Sequence, residues 1–362
     1  MGILNPARIL SPRRRSRVPH HIAPEDDSAH DVPRVIFHDV IKSHENLSDP
    51  TAAVDWIRRE RASILDRLAH AGVVLLRGFP LENAEDFDSA VVAFNLGRFS
   101  YRESLSNAVR KDLTDRVFTA NEAPPEATIR LHHELAQTPA HPRHLFFFCE
   151  RAAGHGGATA LCRSDDLLDR IESRHPDFIR DLVTHGLTYH HVMPGKDDPT
   201  SSMGRSWRST LSVENRDAAE EKLTTLGYSF SWRAEEDLAV SSPCLPALLT
   251  LEDGRRSFFN QLVATRSWRD SRNDPEDALK LGDGRPVSIQ LRDEIAELTE
   301  SYAADLEWQR GDLALLDNHR VQHGRRPFDG RRQVLVAFGA RAPTTPLTPP
   351  RPLTPVAPVP TS

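Results

Sequence analysis

Between Ala52 and Ala71 the apolar residues Val54, Ile57, Ile64, Leu65 and Leu68 recur at helical spacing, and Gly72 closes the pattern. Apolar positions three and four apart share one face of a helix, so an amphipathic helix is predicted over 52–71. The next residues, Val73-Val74-Leu75-Leu76, make a short continuous apolar run that suits a buried strand. Further runs predict strands at 145–148, 187–191, 228–232, 247–251, 257–261, 312–316 and 333–338. Helical patterns at 165–174, 215–226 and 287–304 stand between them. Many short strands point to a β-sandwich or barrel core with helical insertions, and nothing repeats at a period of about 20–50 residues. The fold class expected is therefore α+β, mainly β.

The pattern fades at both ends. Residues 1–30 are polar and Pro- and Arg-containing, and residues 342–362 hold 8 of the 27 prolines. Two disordered tails around a single domain at 31–341 are the simplest account. The basic block Arg13 to Arg17 has no apolar core behind it and reads as part of the N-terminal tail. A hydrophobic share of 38% and a charged share of 27% belong to a globular chain, and no apolar run approaches the roughly 20 residues of a spanning helix. A net charge of −6 gives no pull toward nucleic acid or an anionic membrane. A small-molecule partner is expected instead. The cysteines Cys149, Cys162 and Cys244 form no CxxC pair and no even framework, which argues against disulfides and a thiolate zinc site and for a cytoplasmic setting. Cys149 reads as filler at a buried strand end.

Candidate chemistry gathers in two places. In Ile129-Arg130-Leu131-His132-His133-Glu134-Leu135 an extended backbone would send His132 and Glu134 to one face and His133 to the other. On a helix the same pair would diverge by about 200°. Such a pair needs a third ligand, and Asp317-Asn318-His319-Arg320-Val321-Gln322-His323-Gly324-Arg325 offers His319 and His323. Two histidines and one carboxylate on one face of a metal leave positions open for a chelating co-substrate and O₂. Downstream, Arg331-Arg332 opens the apolar run 333–338. A guanidinium there can grip the far carboxylate of a dicarboxylate chelated to the metal.

The order of these elements resembles the taurine dioxygenase and clavaminate synthase-like superfamily of Fe(II)- and 2-oxoglutarate-dependent oxygenases, over roughly residues 72–340. Within it the chain is most similar to the branch that hydroxylates amino acids in natural-product pathways. The resemblance is carried by Leu131-His132-His133-Glu134, Gly156-Gly157-Ala158-Thr159, Gly204-Arg205-Ser206-Trp207, Phe259-Asn260-Gln261, Gly282-Asp283-Gly284, Trp308, Gly311-Asp312, Asp317-Asn318 and His323-Gly324-Arg325. It implies a double-stranded β-helix (jelly-roll) core. It implies further that His132, Glu134 and His323 ligate iron, that Thr159 and Arg332 hold 2-oxoglutarate, and that His319 is not a ligand. Glu134 stands where related halogenases carry a small residue, which favours hydroxylation. Where relatives in this branch usually have Asn between the ligands and an aromatic soon after, this chain has His133 and then Ala136-Gln137. Asn121, Gln137, Arg205, Trp207 and Asn260 are the expected substrate-lining residues.

The function expected is hydroxylation of an unactivated C–H bond of an amino acid, free or bound to a carrier protein, or of a related metabolite, with Fe(II), 2-oxoglutarate and O₂. Desaturation or epoxidation would use the same iron site. A zinc hydrolase and a non-catalytic binding module are the competing classes, and neither needs the carboxylate grip of Thr159 and Arg332.

Overall fold

The computed structural model describes residues 38–43, 47–101, 104–106, 108, 110–121, 123–201, 203–343 and 347. The expected N-terminal tail, with Arg13 to Arg17, lies outside the described residues, as does most of 342–362. The chain first forms strand β1 (Asp39–Lys42) and helix α1 (Pro50–Ala71). Asp49 caps α1 by accepting from Ala52 N at 2.9 Å, and Pro50 takes the first-turn position where no N–H is needed. Gly72 ends it at φ 80°, and its N–H donates to Leu68 O at 2.7 Å. One face of α1, with Ala53, Val54, Ile57, Ile64 and Leu68, is buried.

That face packs on the larger sheet. Strands β2 (Val73–Arg77), β3 (Val117–Thr119), β6 (His144–Arg151), β16 (Leu313–Asp317) and β19 (Gln333–Phe338) join β1 in the order β1-β2-β16-β6-β19-β3. Only the β1–β2 pair is parallel among these described strands. Side chains alternate across the sheet as strand geometry requires. Val74, Leu76, Phe146, Phe148, Leu313 and Leu315 meet α1 and helix α2 (Ala84–Phe94). Val73, Leu75, Leu145, Phe147, Ala314 and Leu316 face the other way, into an inner core.

The inner core is closed by the smaller sheet. Strands β4 (Ile129–His132), β8 (Thr159–Arg163), β15 (Ala304–Leu306) and β17 (Val321–Arg325) run in the order β15-β8-β17-β4, all antiparallel. Leu161, Leu306 and Val321 turn inward to Phe147 and Leu145. Leu131, Ala160 and Cys162 turn outward against helices α3 (Ser164–Arg174), α4 (Pro176–His185) and α7 (Ile289–Ser301). A third layer of strands, β10 (Ser229–Trp232), β11 (Leu238–Ser241), β9 (Leu187–Met193) and β14 (Leu279–Leu281), carries helices α5 (Trp207–Leu211) and α6 (Arg216–Thr225) on its own apolar cluster. Short ribbons pair β5 (Ala140–Pro142) with β20 (Arg341–Pro343), β7 (His155–Gly156) with β18 (Phe328–Asp329), and β12 (Leu249–Thr250) with β13 (Arg256–Ser257). Among the described residues no helix is long and apolar enough to cross a membrane.

The predicted helices over 52–71, 165–174, 215–226 and 287–304 correspond to α1, α3, α6 and α7. The strand predicted at 257–261 is a correction: β13 stops at Ser257, because Asn260 Oδ1 accepts from Leu262 N and bends the chain into a turn. The strand expected at 247–251 shrinks to β12. The boundary expected at 341 is also passed, since β20 continues to Pro343 and Leu347 N donates to Cys244 O at 2.8 Å.

Gly72 is a point where the helix layer and the smaller sheet share a backbone constraint. A Cβ there would stand 2.7 Å from Val321 Cγ2 on a residue already at φ +80°. Gly72→Ala is expected to destabilise the protein by about 1–3 kcal/mol, read from the denaturant midpoint.

Candidate functional site

Strands β4 and β17 lie antiparallel with His132 and His323 directly opposite, and their ring centroids are 4.4 Å apart. Glu134 follows two residues after His132, already in a turn, with the next residue Leu135 at φ 59°. Strand parity alone therefore does not place Glu134. Asn318 does: its Oδ1 accepts from Glu134 N at 2.8 Å, while its Nδ2 donates to Glu134 O at 3.0 Å and to Pro142 O at 2.8 Å. One ligand atom from each of His132, Glu134 and His323 lies within 4.8 Å of the other two. That spacing suits a metal ion. His133 turns away, bonded through Nδ1 to Asn318 O and through Nε2 to Ser164 Oγ, both at 2.6 Å.

The donor set fits a cation. His132 Nδ1 is 2.8 Å from Arg130 O, an acceptor only, so that nitrogen carries the hydrogen and Nε2 keeps its lone pair. His323 Nε2 lies 3.6 Å from Glu134 Oε2, and His323 Nδ1 is buried without a hydrogen-bond partner. Burial, reinforced by His323, pushes the His132 pKa down to about 4, so the imidazole is neutral at pH 7. Burial works against the charge of Glu134, but Arg110, His323 and His132 outweigh it and hold its carboxyl below the usual range. Arg110 Nη2 contacts both Glu134 oxygens, at 3.1 and 3.2 Å. His319 does not join the triad: it is hydrogen-bonded to His141 at 2.7 Å and to Arg143.

The triad opens on a cavity of about 320 Å³, large enough for a small ligand beyond a metal. Thr159 and Arg332 line it with His132, Glu134 and His323. Thr159 Oγ1 accepts from Trp308 Nε1 at 2.9 Å. Arg332 Nε donates to Gly157 O at 2.8 Å, and no carboxylate among the described residues pairs with this guanidinium. Burial, then the charge of Arg325, pushes the Arg332 pKa down to about 10. Gly157, at φ +76°, leaves room that a Cβ would close, since it would stand 2.9 Å from Arg332 Cδ. Arg325 is buried beside it with its charge turned onto Ala123 O, Pro124 O and Ala127 O at 2.6–2.9 Å. Arg331 is exposed.

Asn121 and Gln137 line the cavity, and Gln137 Oε1 is buried without a partner. The other three expected substrate-lining residues do not reach it. Arg205 is held by Ser106 O at 3.0 Å and Ser209 O at 2.8 Å over the Tyr101 ring. Trp207 is fully buried in the outer lobe, with Nε1 donating to Glu236 O. Asn260 is spent on Ala247 O and Leu262 N. Their motif positions are real, but buried backbone groups claimed their polar atoms. Sequence reasoning missed Arg110, which follows no pattern, and His191, whose two ring nitrogens are buried without partners in the cavity wall. Asn318 and Trp308 were visible as motif residues without their roles.

Comparison with known proteins places these observations in a group. The family described as "Taurine catabolism dioxygenase TauD, TfdA family" matches residues 43–338. A clavaminate synthase-like protein of Arabidopsis thaliana is 39% identical over 276 residues, covering 75% of this chain and 83% of its own. The dapdiamide synthesis protein DdaC of Enterobacter agglomerans is 25% identical over 283 residues, covering 75% and 82%. A solved structure of asparagine oxygenase with Fe(II), hydroxyasparagine and succinate superposes with a TM-score of 0.49 at 13% identity, covering 84% of this chain and 93% of that one.

Burial dominates every shifted histidine around the site: His132, His141, His144 and His191 fall to about 4, His133 to about 3 and His319 to about 2, from 6.5. Below pH 6.5 the unfolded chain gains protons that the folded one refuses. Stability is therefore present above pH 6.5 and is lost as pH falls toward 4. Urea midpoints of the metal-free protein should drop steadily from pH 7 to pH 4.5; a flat profile contradicts neutral burial. Asn318→Ala should cost about 2 kcal/mol or more and weaken Mn(II) binding at least about tenfold, measured by calorimetry.

Proposed function

Because the chain belongs to the taurine catabolism dioxygenase TauD, TfdA family, it is a 2-oxoglutarate-dependent non-haem iron dioxygenase, and we propose that it hydroxylates an unactivated C–H bond of an amino acid or a metabolite built on one. The observation that carries the site reading is one cavity that joins the His132, Glu134 and His323 triad to an arginine, Arg332, with no acidic partner among the described residues. A triad alone fits zinc or iron; a waiting guanidinium fits a dicarboxylate co-substrate. The amino-acid part rests on the run of motifs quoted above, and the relative named for dapdiamide synthesis supports a place in secondary metabolism. We read the two facing sheets as the double-stranded β-helix of this family.

In this reading His132, Glu134 and His323 hold Fe(II), and Thr159 and Arg332 hold the distal carboxylate of 2-oxoglutarate. When bound, iron and 2-oxoglutarate supply the oxidising chemistry, reducing O₂ as 2-oxoglutarate is decarboxylated to succinate and a substrate C–H is oxidised. The protein's own part is placement. The hydrogen on His132 Nδ1, tied to Arg130 O, aims Nε2 at the metal position. Asn318 grips the peptide groups on both sides of Glu134, so the carboxylate is presented without a search of backbone conformations. Trp308 fixes the Thr159 hydroxyl by donating to it, which obliges Thr159 to donate its own hydrogen to a carboxylate. Phe147, Val334 and Val336 give the cavity an apolar stretch of wall.

Three variants test the roles. Anaerobic loading with Fe(II) and 2-oxoglutarate, then O₂ with a panel of amino acids, should give succinate and a product heavier by one oxygen. His132→Ala should abolish both, and retained turnover would sink the metal assignment. Arg332→Leu should raise the KM for 2-oxoglutarate by on the order of 100-fold, the loss expected for a charge-assisted bidentate grip. Trp308→Phe should raise it only several-fold, because it frees the Thr159 hydroxyl without removing it.

A further inference from the structure

The oxygenase reading leaves one charged group in the cavity unused. Arg110 lies outside the metal-ligand set and outside the 2-oxoglutarate grip, yet its side chain is only 7% exposed and lines the same cavity. Its guanidinium carbon sits 5.2 Å from the Tyr101 ring centroid, 5.3 Å from Phe118 and 5.7 Å from Phe338. Three ring faces fix the plane of the cation. Of its five N–H donors, those on Nη2 meet the Glu134 carboxylate, and Nε is buried with no partner. Once Glu134 gives an oxygen to a metal, even the Nη2 contact is shared. A rigid, desolvated guanidinium with a donor left open is suited to receive a planar anion.

Charge points the same way. The described residues lining the cavity include Arg110, Arg130, Arg325 and Arg332, against one carboxylate, Glu134. Adding a divalent metal and doubly charged 2-oxoglutarate leaves the balance positive: four arginines and the metal give +6, and Glu134 and 2-oxoglutarate give −3. Arg332 is assigned to 2-oxoglutarate, Arg325 is spent on three carbonyls and Arg130 is exposed. Arg110 is the cation left for the substrate.

Resting on the oxygenase reading, we propose that Arg110 binds the free carboxylate of the substrate beside the iron site. The substrate then carries a free carboxylate and is not an acyl group tethered to a carrier protein through its only carboxyl, because that thioester has no carboxylate left to offer. Gln137 Oε1 and the two nitrogens of His191, all buried without partners, remain for the substrate's other polar groups.

The test uses the full chain loaded with Mn(II) and 2-oxoglutarate, so that binding is read without turnover. Each of the proteinogenic L-amino acids is offered as the free acid, the carboxamide and the N-acetylcysteamine thioester, and binding is followed by calorimetry and thermal shift. The wild-type protein should bind one or more free acids at least about tenfold more tightly than the matched amide and thioester. Arg110→Gln should weaken the acid by on the order of 30-fold or more and level the three forms, while Arg110→Lys keeps part of the preference. Uptake of Mn(II) and 2-oxoglutarate by each variant reports an intact site, and Arg110→Lys carries the comparison if Arg110→Gln does not fold. An amide or thioester bound as well as the acid, a preference unchanged in the variants, or no free acid bound overturns the role of Arg110 while leaving the oxygenase reading standing. Wild-type protein that takes up no 2-oxoglutarate with the metal overturns both.

Discussion

The antiparallel register of β4 and β17, which sets His132 opposite His323, is the constraint on which the site depends. It joins two segments almost two hundred positions apart and needs close backbone approach. Gly324 makes that approach available, since a Cβ there would stand 2.6 Å from Ile129 O. Asn318, in the turn between β16 and β17, completes the arrangement by clamping the peptide groups around Glu134. Three candidate ligands, from two strands and one turn, are thus brought together by strand register and the Asn318 clamp. Pre-organisation of this kind is what a metal site needs if the ligands are not to pay the ordering cost on binding.

Charge management around the triad follows one logic with three solutions. Arg325 is buried and satisfied by loop carbonyls, which turns a cation into a structural staple for residues 123–127. Arg332 is half satisfied, its Nε donating to Gly157 O. Arg110 is caged by rings and leans on Glu134. A low-dielectric pocket makes unpaired charge costly, so Arg332 and Arg110, whose donors the fold leaves only partly satisfied, are informative where Arg325 is not.

Much of this was legible beforehand, for identifiable reasons. Helix α1 was readable because its apolar stripe and its Gly72 stop are local properties, and β2, β6, β16 and β19 because central strands buried on both faces are written as apolar runs. Strands β8 and β17 were not readable as strands, and β4 only as a segment that an extended backbone would suit: they carry His, Thr, Gly and Arg along the cavity, which breaks the apolar signature. The substrate-lining list fared unevenly for a related reason. Asn121 and Gln137 reach the cavity, whereas Arg205, Trp207 and Asn260 were drawn into buried hydrogen bonds that no one-dimensional pattern announces.

The sequence by itself determined the chemistry on offer: two histidines and a glutamate in a recognisable order, a threonine after paired glycines, and an arginine ahead of an apolar strand. Those are properties of residue type and spacing. The resemblance singled out His323 over His319, four positions away, but only the tertiary structure supplied the physical reason, through β17 pairing and the Arg143 and His141 contacts. The tertiary structure alone brought Arg110 to Glu134, across a separation of 24 residues, with Phe338 as part of the cage. Residue identity is local, whereas the desolvation and charge that make a group functional come from the sum of neighbours folding supplies.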